Sequence, residues 1–120
     1  MSTALTHGQH ALLESELRLA RQRAQAALQA QRDGSDRLAH AATLLEDDPQ
    51  EHESERELDQ ARSELLLAEL QDIDDALMRL KTPAYGRCID CGAVIPFDRL
   101  QRQPQALRCV DCQAATEATR

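Results

Sequence analysis

Four cysteines, the only ones in the chain, stand in the last third of the sequence as two Cys-x-x-Cys pairs. The pairs are Cys88/Cys91 and Cys109/Cys112, and 17 residues separate them. Two residues inside a pair let both sulfurs reach one cation from a single tight turn, and the longer spacer lets the second turn fold back to complete a tetrahedron. This spacing predicts one structural Zn²⁺ bound by four thiolates. Because a closed four-ligand shell leaves no position for water, we expect the metal not to be catalytic.

Disulfides, a redox-active dithiol and an iron site are the rival interpretations of these cysteines. Disulfides fit the count, but residues 1–10 are polar and lack the apolar segment of a secretory signal. We therefore expect a cytoplasmic protein, in which disulfides are rare. A redox dithiol is expected beside a βαβ pattern, and neither pair has one. Iron could bind the same four sulfurs, although thiolate tetrahedra of this kind most often hold zinc.

A long helical pattern begins at about residue 9 and continues to about residue 46. The segment is rich in Ala, Leu, Gln, Arg and Glu, which favour helix. Its apolar residues recur in steps of three and four, which indicates a seam on one face. The seam residues are Leu13, Leu17, Ala20, Ala24, Ala27, Leu38, Ala41 and Leu45. Gln31 and Gly34 interrupt the seam, so we expect a kink there, with a division into two helices as the alternative.

A second helix is predicted from about residue 50 to 81, after a turn at 47–49. Asp48 can cap its N-terminus, with Pro49 in the first helical position and Glu51 in the third. The helix should end before Pro83, because proline disfavours helical backbone in the residue before it. Its expected seam comprises Leu58, Ala61, Leu65 or Leu66, Leu70, Ile73, Leu77 and Leu80.

These elements predict a mainly α protein with a long antiparallel two-helix coiled-coil hairpin. A turn of so few residues forces two long helices to lie antiparallel, so residues 9–81 form the hairpin. Residues 82–120 form a small four-cysteine zinc-finger subdomain that ends in a short C-terminal tail or helix, and residues 1–8 form a flexible N-terminus. A segment as small as the finger depends on its metal for folding.

Charge and composition exclude several classes of function. The net charge is −7, and residues 46–60 carry eight acids against one arginine, so the turn of the hairpin is acidic. Direct binding of DNA or RNA needs a basic surface, which this chain lacks. No apolar run approaches the ~20 residues of a membrane span. We expect no enzyme either, because no catalytic triad or phosphate-binding glycine loop is suggested and the thiols are committed to metal.

The cysteine segment resembles the DksA/TraR family of bacterial zinc-finger regulators. The matching positions are Pro83 to Cys88, Cys91, Gly92, Ile95, Arg99, Leu100, Pro104, Ala106, Cys109 and Cys112. The helical hairpin and its Asp-Pro turn fit the same family. The resemblance implies a protein that binds RNA polymerase rather than DNA and inserts its hairpin through the secondary channel. It also implies that the finger lies at the base of the hairpin and that the tip approaches the catalytic Mg²⁺.

The tip of the hairpin departs from the family pattern. Well-studied members carry Asp-x-x-Asp-x-Ala there, and this chain has Asp48, Glu51 and Glu53 at the three positions. We take Asp48 and Glu51 as the functional tip. The best-known member acts together with the nucleotide ppGpp, and the altered tip leaves ppGpp-dependent action of this chain an open alternative. The competing hypothesis is a zinc-stabilised adaptor that presents its hairpin to another protein without affecting polymerase chemistry.

Overall fold

The computed structural model describes residues 5–45 and 49–118, with side chains for residues 5–41 and 54–118. Within these ranges the chain forms four helices, and the prediction of a mainly α fold with a coiled-coil hairpin is confirmed. The helices are α1 (His7–Leu45), α2 (Pro49–Arg79), α3 (Phe97–Arg102) and α4 (Val110–Ala118). Over the same ranges extended pairing is confined to an isolated antiparallel bridge between Arg87 and Val94.

Helix α1 begins at His7, two residues earlier than the apolar spacing indicates. The cause is a capping box. The Thr6 hydroxyl accepts a hydrogen bond from the Gln9 amide at 3.1 Å, and the Gln9 side chain accepts one from the Thr6 amide at 3.0 Å. Each bond satisfies an amide that the first turn of a helix leaves without a partner. Of the N-terminal residues expected to be flexible, 1–4 lie outside the described ranges.

Helix α1 passes through Gly34 without interruption, so the alternative of two separate helices is wrong. Helix α2 begins at Pro49, in agreement with the Asp-Pro signal, while Asp48 itself lies outside the described residues. It ends at Arg79, where the Thr82 amide and hydroxyl both bind the Arg79 carbonyl at 2.8 Å. Among the described helices, none combines the length and the apolarity that crossing a membrane requires.

The chain divides into two compact units. The finger unit spans Met1–Ala20 and Asp72–Arg120, and the helix-pair unit spans Arg21–Gln71. The finger unit has a continuous apolar core in which α1, α2 and the cysteine segment all take part. Its buried residues are Leu13, Leu17, Ile73, Ala76, Leu80, Tyr85, Cys88, Ile95 and Leu100. The start of α1 therefore belongs to the same core as the zinc finger.

The helix-pair unit buries much less, and there the predicted seam is partly wrong. Leu58 and Leu65 are 59% and 71% exposed, and Ala61 is exposed as well. Asp59 and Ser63 are half-buried instead, one and two residues after Leu58 and Ala61. Leu66 and Leu70 are half-buried as predicted, with Leu66 rather than Leu65 on the inner face.

On α1 the correction is similar. Leu28 is buried where Ala27 was expected, and Leu38 is 45% exposed.

Candidate metal centre

The four cysteine sulfurs converge on one point of the finger unit. The Sγ atoms of Cys88, Cys91, Cys109 and Cys112 all lie within 4.8 Å of one another, and Cys91 and Cys109 are 3.8 Å apart. A Zn²⁺ tetrahedron with bonds of about 2.3 Å has edges of about 3.8 Å, so the cage has the right size for this ion. The four soft donors also suit zinc. The predicted cofactor, one structural Zn²⁺, is confirmed by this arrangement and by the family match reported below.

The first knuckle, the turn that carries Cys88 and Cys91, is closed by backbone hydrogen bonds. The Cys88 amide donates to the Ala93 carbonyl at 2.8 Å, and the Gly92 amide donates to the Cys88 carbonyl at 3.0 Å. Gly92 has a φ of +75°, a conformation that residues with a Cβ adopt at a cost, which accounts for glycine after the first pair. The backbone thus holds both sulfurs on the inner side of a tight turn.

The second knuckle is the N-terminal end of α4. Cys109 precedes the first residue of the helix, and its sulfur accepts a hydrogen bond from the Cys112 amide at 3.5 Å. The Gln113 amide donates to the Cys109 carbonyl at 2.9 Å and continues the helix. A thiolate in this position caps free amides and lies at the positive end of the helix dipole. The segment after Cys112 is therefore helical as far as Ala118, which settles the tail-or-helix alternative.

Two contacts join the knuckles to each other. The Ile89 amide donates to the Leu107 carbonyl at 2.9 Å, and the Arg108 guanidinium pairs with the Asp90 carboxylate at 2.7 Å. Asp90 lies inside the first pair and Arg108 immediately precedes the second, so this ion pair ties the two turns together. An acid within one pair and a base before the other was the available signal for the bridge.

The electrostatics of the cage favour a bound cation. A hydrogen bond from the Cys91 backbone lowers the pKa of the Cys88 thiol to about 6, so that sulfur is readily ionised. Side-chain hydrogen bonding raises the pKa of the Cys112 thiol, and the contact with Cys109 makes the largest contribution. Four thiolates this close repel one another, and a divalent ion is what allows all four to be ionised together.

Tyr85 and Gly86 anchor the finger to the start of α1. The Tyr85 hydroxyl donates to the Pro104 carbonyl at 2.8 Å, and burial raises the pKa of Tyr85 to about 12. The Tyr85 ring meets the His10 ring edge to face, with centroids 6.1 Å apart. Gly86 has a φ of +82°, and a Cβ there would lie 3.4 Å from a Leu5 methyl carbon. Sequence reasoning recognised these two residues only as part of a family motif.

The side chains of the predicted tip residues, unlike those of the cysteines, lie outside the part of the chain that the structure describes. Asp48 lies outside the described residues, and Glu51 is described only as part of the backbone of α2, in its first turn. The structure thus brings the four cysteines together and leaves the pairing of Asp48 with Glu51 a prediction.

Comparison with known proteins finds similarity to a zinc-finger family, to a relative and to a solved structure. Residues 83–118 match the model of the prokaryotic dksA/traR C4-type zinc finger. Over 64 residues the chain is 34% identical to general stress protein 16O of Bacillus subtilis, a match that covers 53% of this chain and 39% of that protein.

The third similarity extends over nearly the whole fold. The structure of transcription factor DksA2 from Pseudomonas aeruginosa superposes with a TM-score of 0.83 at 25% identity, covering 94% of this chain and 86% of that one. The finger match identifies the metal-binding segment, and the structural match includes the two long helices as well. Taken together with the four converging thiols, these similarities show that residues 83–118 form a dksA/traR C4-type zinc finger, and they support placing the chain in the DksA/TraR family.

Proposed function

We propose that this protein is a bacterial transcription regulator that binds RNA polymerase through the α1–α2 hairpin, entering by the secondary channel. The observation that carries the proposal is the likeness to transcription factor DksA2 over 94% of the chain, because it extends beyond the finger to both long helices. The deficit of basic charge supports it, since a net charge of −7 suits a protein partner better than a nucleic acid. The proposed location is the cytoplasm, where RNA polymerase acts.

The zinc finger has a structural role in this proposal. Cys88, Cys91, Cys109 and Cys112 would hold one Zn²⁺, whose closed thiolate shell stabilises the fold and offers no site to a substrate. Through Tyr85 and Gly86 the finger also holds the start of α1. The protein is therefore proposed to act by binding, and not as an enzyme.

Asp48 and Glu51 are proposed to form the functional tip of the hairpin. They are the acids that stand in the family's tip register, and six more acids occupy residues 46–60. Carboxylates at this place would act by charge close to the catalytic Mg²⁺ of the polymerase. Glu53 stands where the family has alanine, so the requirement for ppGpp is a property to be measured for this chain.

In vitro transcription with purified polymerase, with and without ppGpp, tests the proposal. The double variant Asp48→Asn/Glu51→Gln should still bind polymerase and should lose its effect on transcription. A matched control is Glu57→Gln/Glu69→Gln, which removes the same charge from exposed positions of α2. Losing the cap costs about 0.5–2 kcal/mol of helix stability, so helicity is measured beside binding. An unchanged transcriptional effect in the tip variant would leave these acids with a capping role alone.

The alternative is a zinc-stabilised adaptor that presents its helices to another protein. The exposed Leu58 and Leu65 on α2 favour it, since apolar side chains at an exposed helix face can serve a helical partner. Titration of purified core polymerase with the labelled protein separates the two candidates. Saturable binding with a defined stoichiometry supports the regulator, and its absence supports the adaptor.

A further inference from the structure

The inner side of the helix-pair unit carries a polar cluster where a coiled coil normally has apolar residues. The Asp59 carboxylate accepts hydrogen bonds from both partners across the helix pair, one on each oxygen. The Gln31 amide donates to Oδ1 at 2.8 Å, and the Ser35 hydroxyl donates to Oδ2 at 3.0 Å. All three residues are half-buried. Because Gln31 and Ser35 are one helical turn apart, the carboxylate spans one turn of α1.

Apolar residues are available on α2 and are not used. Leu58 directly precedes Asp59, and Leu65 directly precedes Leu66, yet both leucines are mostly exposed. Turning this part of α2 by one residue, about 100° about its axis, would bring Leu58 and Leu65 inward and turn Asp59 outward. The same turn would carry the half-buried Leu66 and Leu70 outward, so each setting places two leucines of this stretch on the inner face, and apolar burial by itself does not decide between them.

The steps of three and four residues from Leu70 and Leu66 lead on to Ser63 and Asp59, so the observed setting continues the regular seam. Its cost is a carboxylate on the inner face, which is tolerated only with hydrogen-bond partners. Gln31 and Ser35 supply them, and the half-buried Asp59 also lines a surface groove of about 400 Å³ together with Ser35. In the alternative setting the Gln31 amide would face leucine and lose its acceptor.

We infer that Asp59 is a positioning residue: its carboxylate, held by Gln31 and Ser35, selects the rotational setting of α2 that keeps Leu58 and Leu65 exposed. Single polar residues at inner positions of coiled coils are known to specify register and pairing in the same way. The inference concerns the helix pair itself and goes beyond the proposed function, so failure of one leaves the other intact.

Solvent exposure of individual leucine methyl groups tests the inference. The full-length, zinc-loaded protein is labelled at its leucine methyls, and a soluble paramagnetic probe is added in an NMR experiment. In Asp59→Ala, which removes the carboxylate and adds no leucine to the inner face, the probe effect on Leu58 and Leu65 should fall about twofold, as when half of the molecules adopt the alternative setting. Unchanged effects at both leucines would overturn the inference.

Three further variants make the result specific. Glu57→Ala makes a matched exchange of an acid for alanine at an exposed neighbouring position, so it should leave Leu65 as exposed as in the wild type. Asp59→Asn keeps one acceptor oxygen and should retain an intermediate exposure. Gln31→Leu/Ser35→Ala removes both donors instead of the acceptor, so it should reproduce the effect of Asp59→Ala even if that variant folds poorly. Full exposure of Leu58 and Leu65 in this double variant would also overturn the inference.

Discussion

The two units of this protein solve the problem of holding long helices together in different ways. In the finger unit, apolar residues from α1, α2 and the cysteine segment share one core, and Leu13, Leu17, Ile73, Ile95 and Leu100 are fully buried. In the helix-pair unit the buried residues among those described are Ala24 and Leu28, and Asp59 replaces an apolar contact. The finger unit therefore depends on tertiary packing and metal, whereas the helix-pair unit depends on helix propensity and on a specific polar contact.

The difference has a physical origin in what each segment can bury. Two helices alone offer each other one narrow face, so most side chains stay in water. In the finger unit a third element, the cysteine segment, covers additional apolar side chains of α1 and α2. This segment has few apolar residues of its own, and a metal ion stabilises it. Resistance to unfolding should follow the same division, because local stability follows buried contacts.

Metal removal should have the largest effect and should separate the two units. A strong chelator removes the ion that supports the cage, and structural Zn²⁺ binding is worth about 10–16 kcal/mol in small zinc domains. We expect amides of residues 85–112 to lose protection from hydrogen exchange, while residues 21–71 keep their helical circular dichroism signal and their exchange rates. Equal protection of the finger with and without chelator would contradict this account of the finger unit.

Substitution of two adjacent leucines on α1 tests how much the core of the finger unit contributes to stability. Leu13 is fully buried and Leu12 is 41% exposed. Leu13→Ala should lower the free energy of unfolding by about 2–5 kcal/mol, because it leaves a cavity. Leu12→Ala changes the same atoms at the surface and should cost roughly 0.5 kcal/mol. Urea denaturation of both variants checks the difference, and similar costs would show that the core is less tightly packed than described.

Two glycines should respond to alanine with opposite signs. Gly86 has a φ of +82° and a Leu5 methyl close to where a Cβ would lie, so Gly86→Ala should destabilise the finger unit by about 1–2 kcal/mol. Gly34 lies inside α1 with open space around its Cα, so Gly34→Ala should stabilise the helix-pair unit by about 0.5–1 kcal/mol. Thermal unfolding monitored in each unit measures both changes. The same sign for both would mean that backbone conformation is not what distinguishes these sites.

Much of the finger was predictable because its signals are local. Two Cys-x-x-Cys pairs place four sulfurs on two tight turns, and Gly92, whose φ is positive, directly follows the first pair. Both features depend on a few consecutive residues, and covalent geometry limits what such residues can do. The start of α2 was predictable for the same reason, since Asp-Pro acts within one turn of helix.

Other features escaped prediction because they involve residues distant in sequence. The Asp90–Arg108 ion pair joins residues 18 positions apart, and the contacts of Asp59 span 24 and 28 positions. The spacing of apolar residues showed that Gln31 interrupts the seam of α1. It did not show which residue of α2 forms a hydrogen bond with Gln31. The capping box of Thr6 and Gln9 is different, because it is a local pattern that the spacing of apolar residues does not detect.

The sequence by itself determined the element types, the metal-binding set and the acidic segment 46–60, because each is encoded by neighbouring residues or by a short period. Only the tertiary structure decided which face of α2 meets α1, because two faces of that helix carry apolar residues at competing phases. It also decided that the start of α1 joins the core of the finger. Both features depend on contacts between segments that only folding brings together. The pattern of apolar residues along one segment contains no information about those contacts.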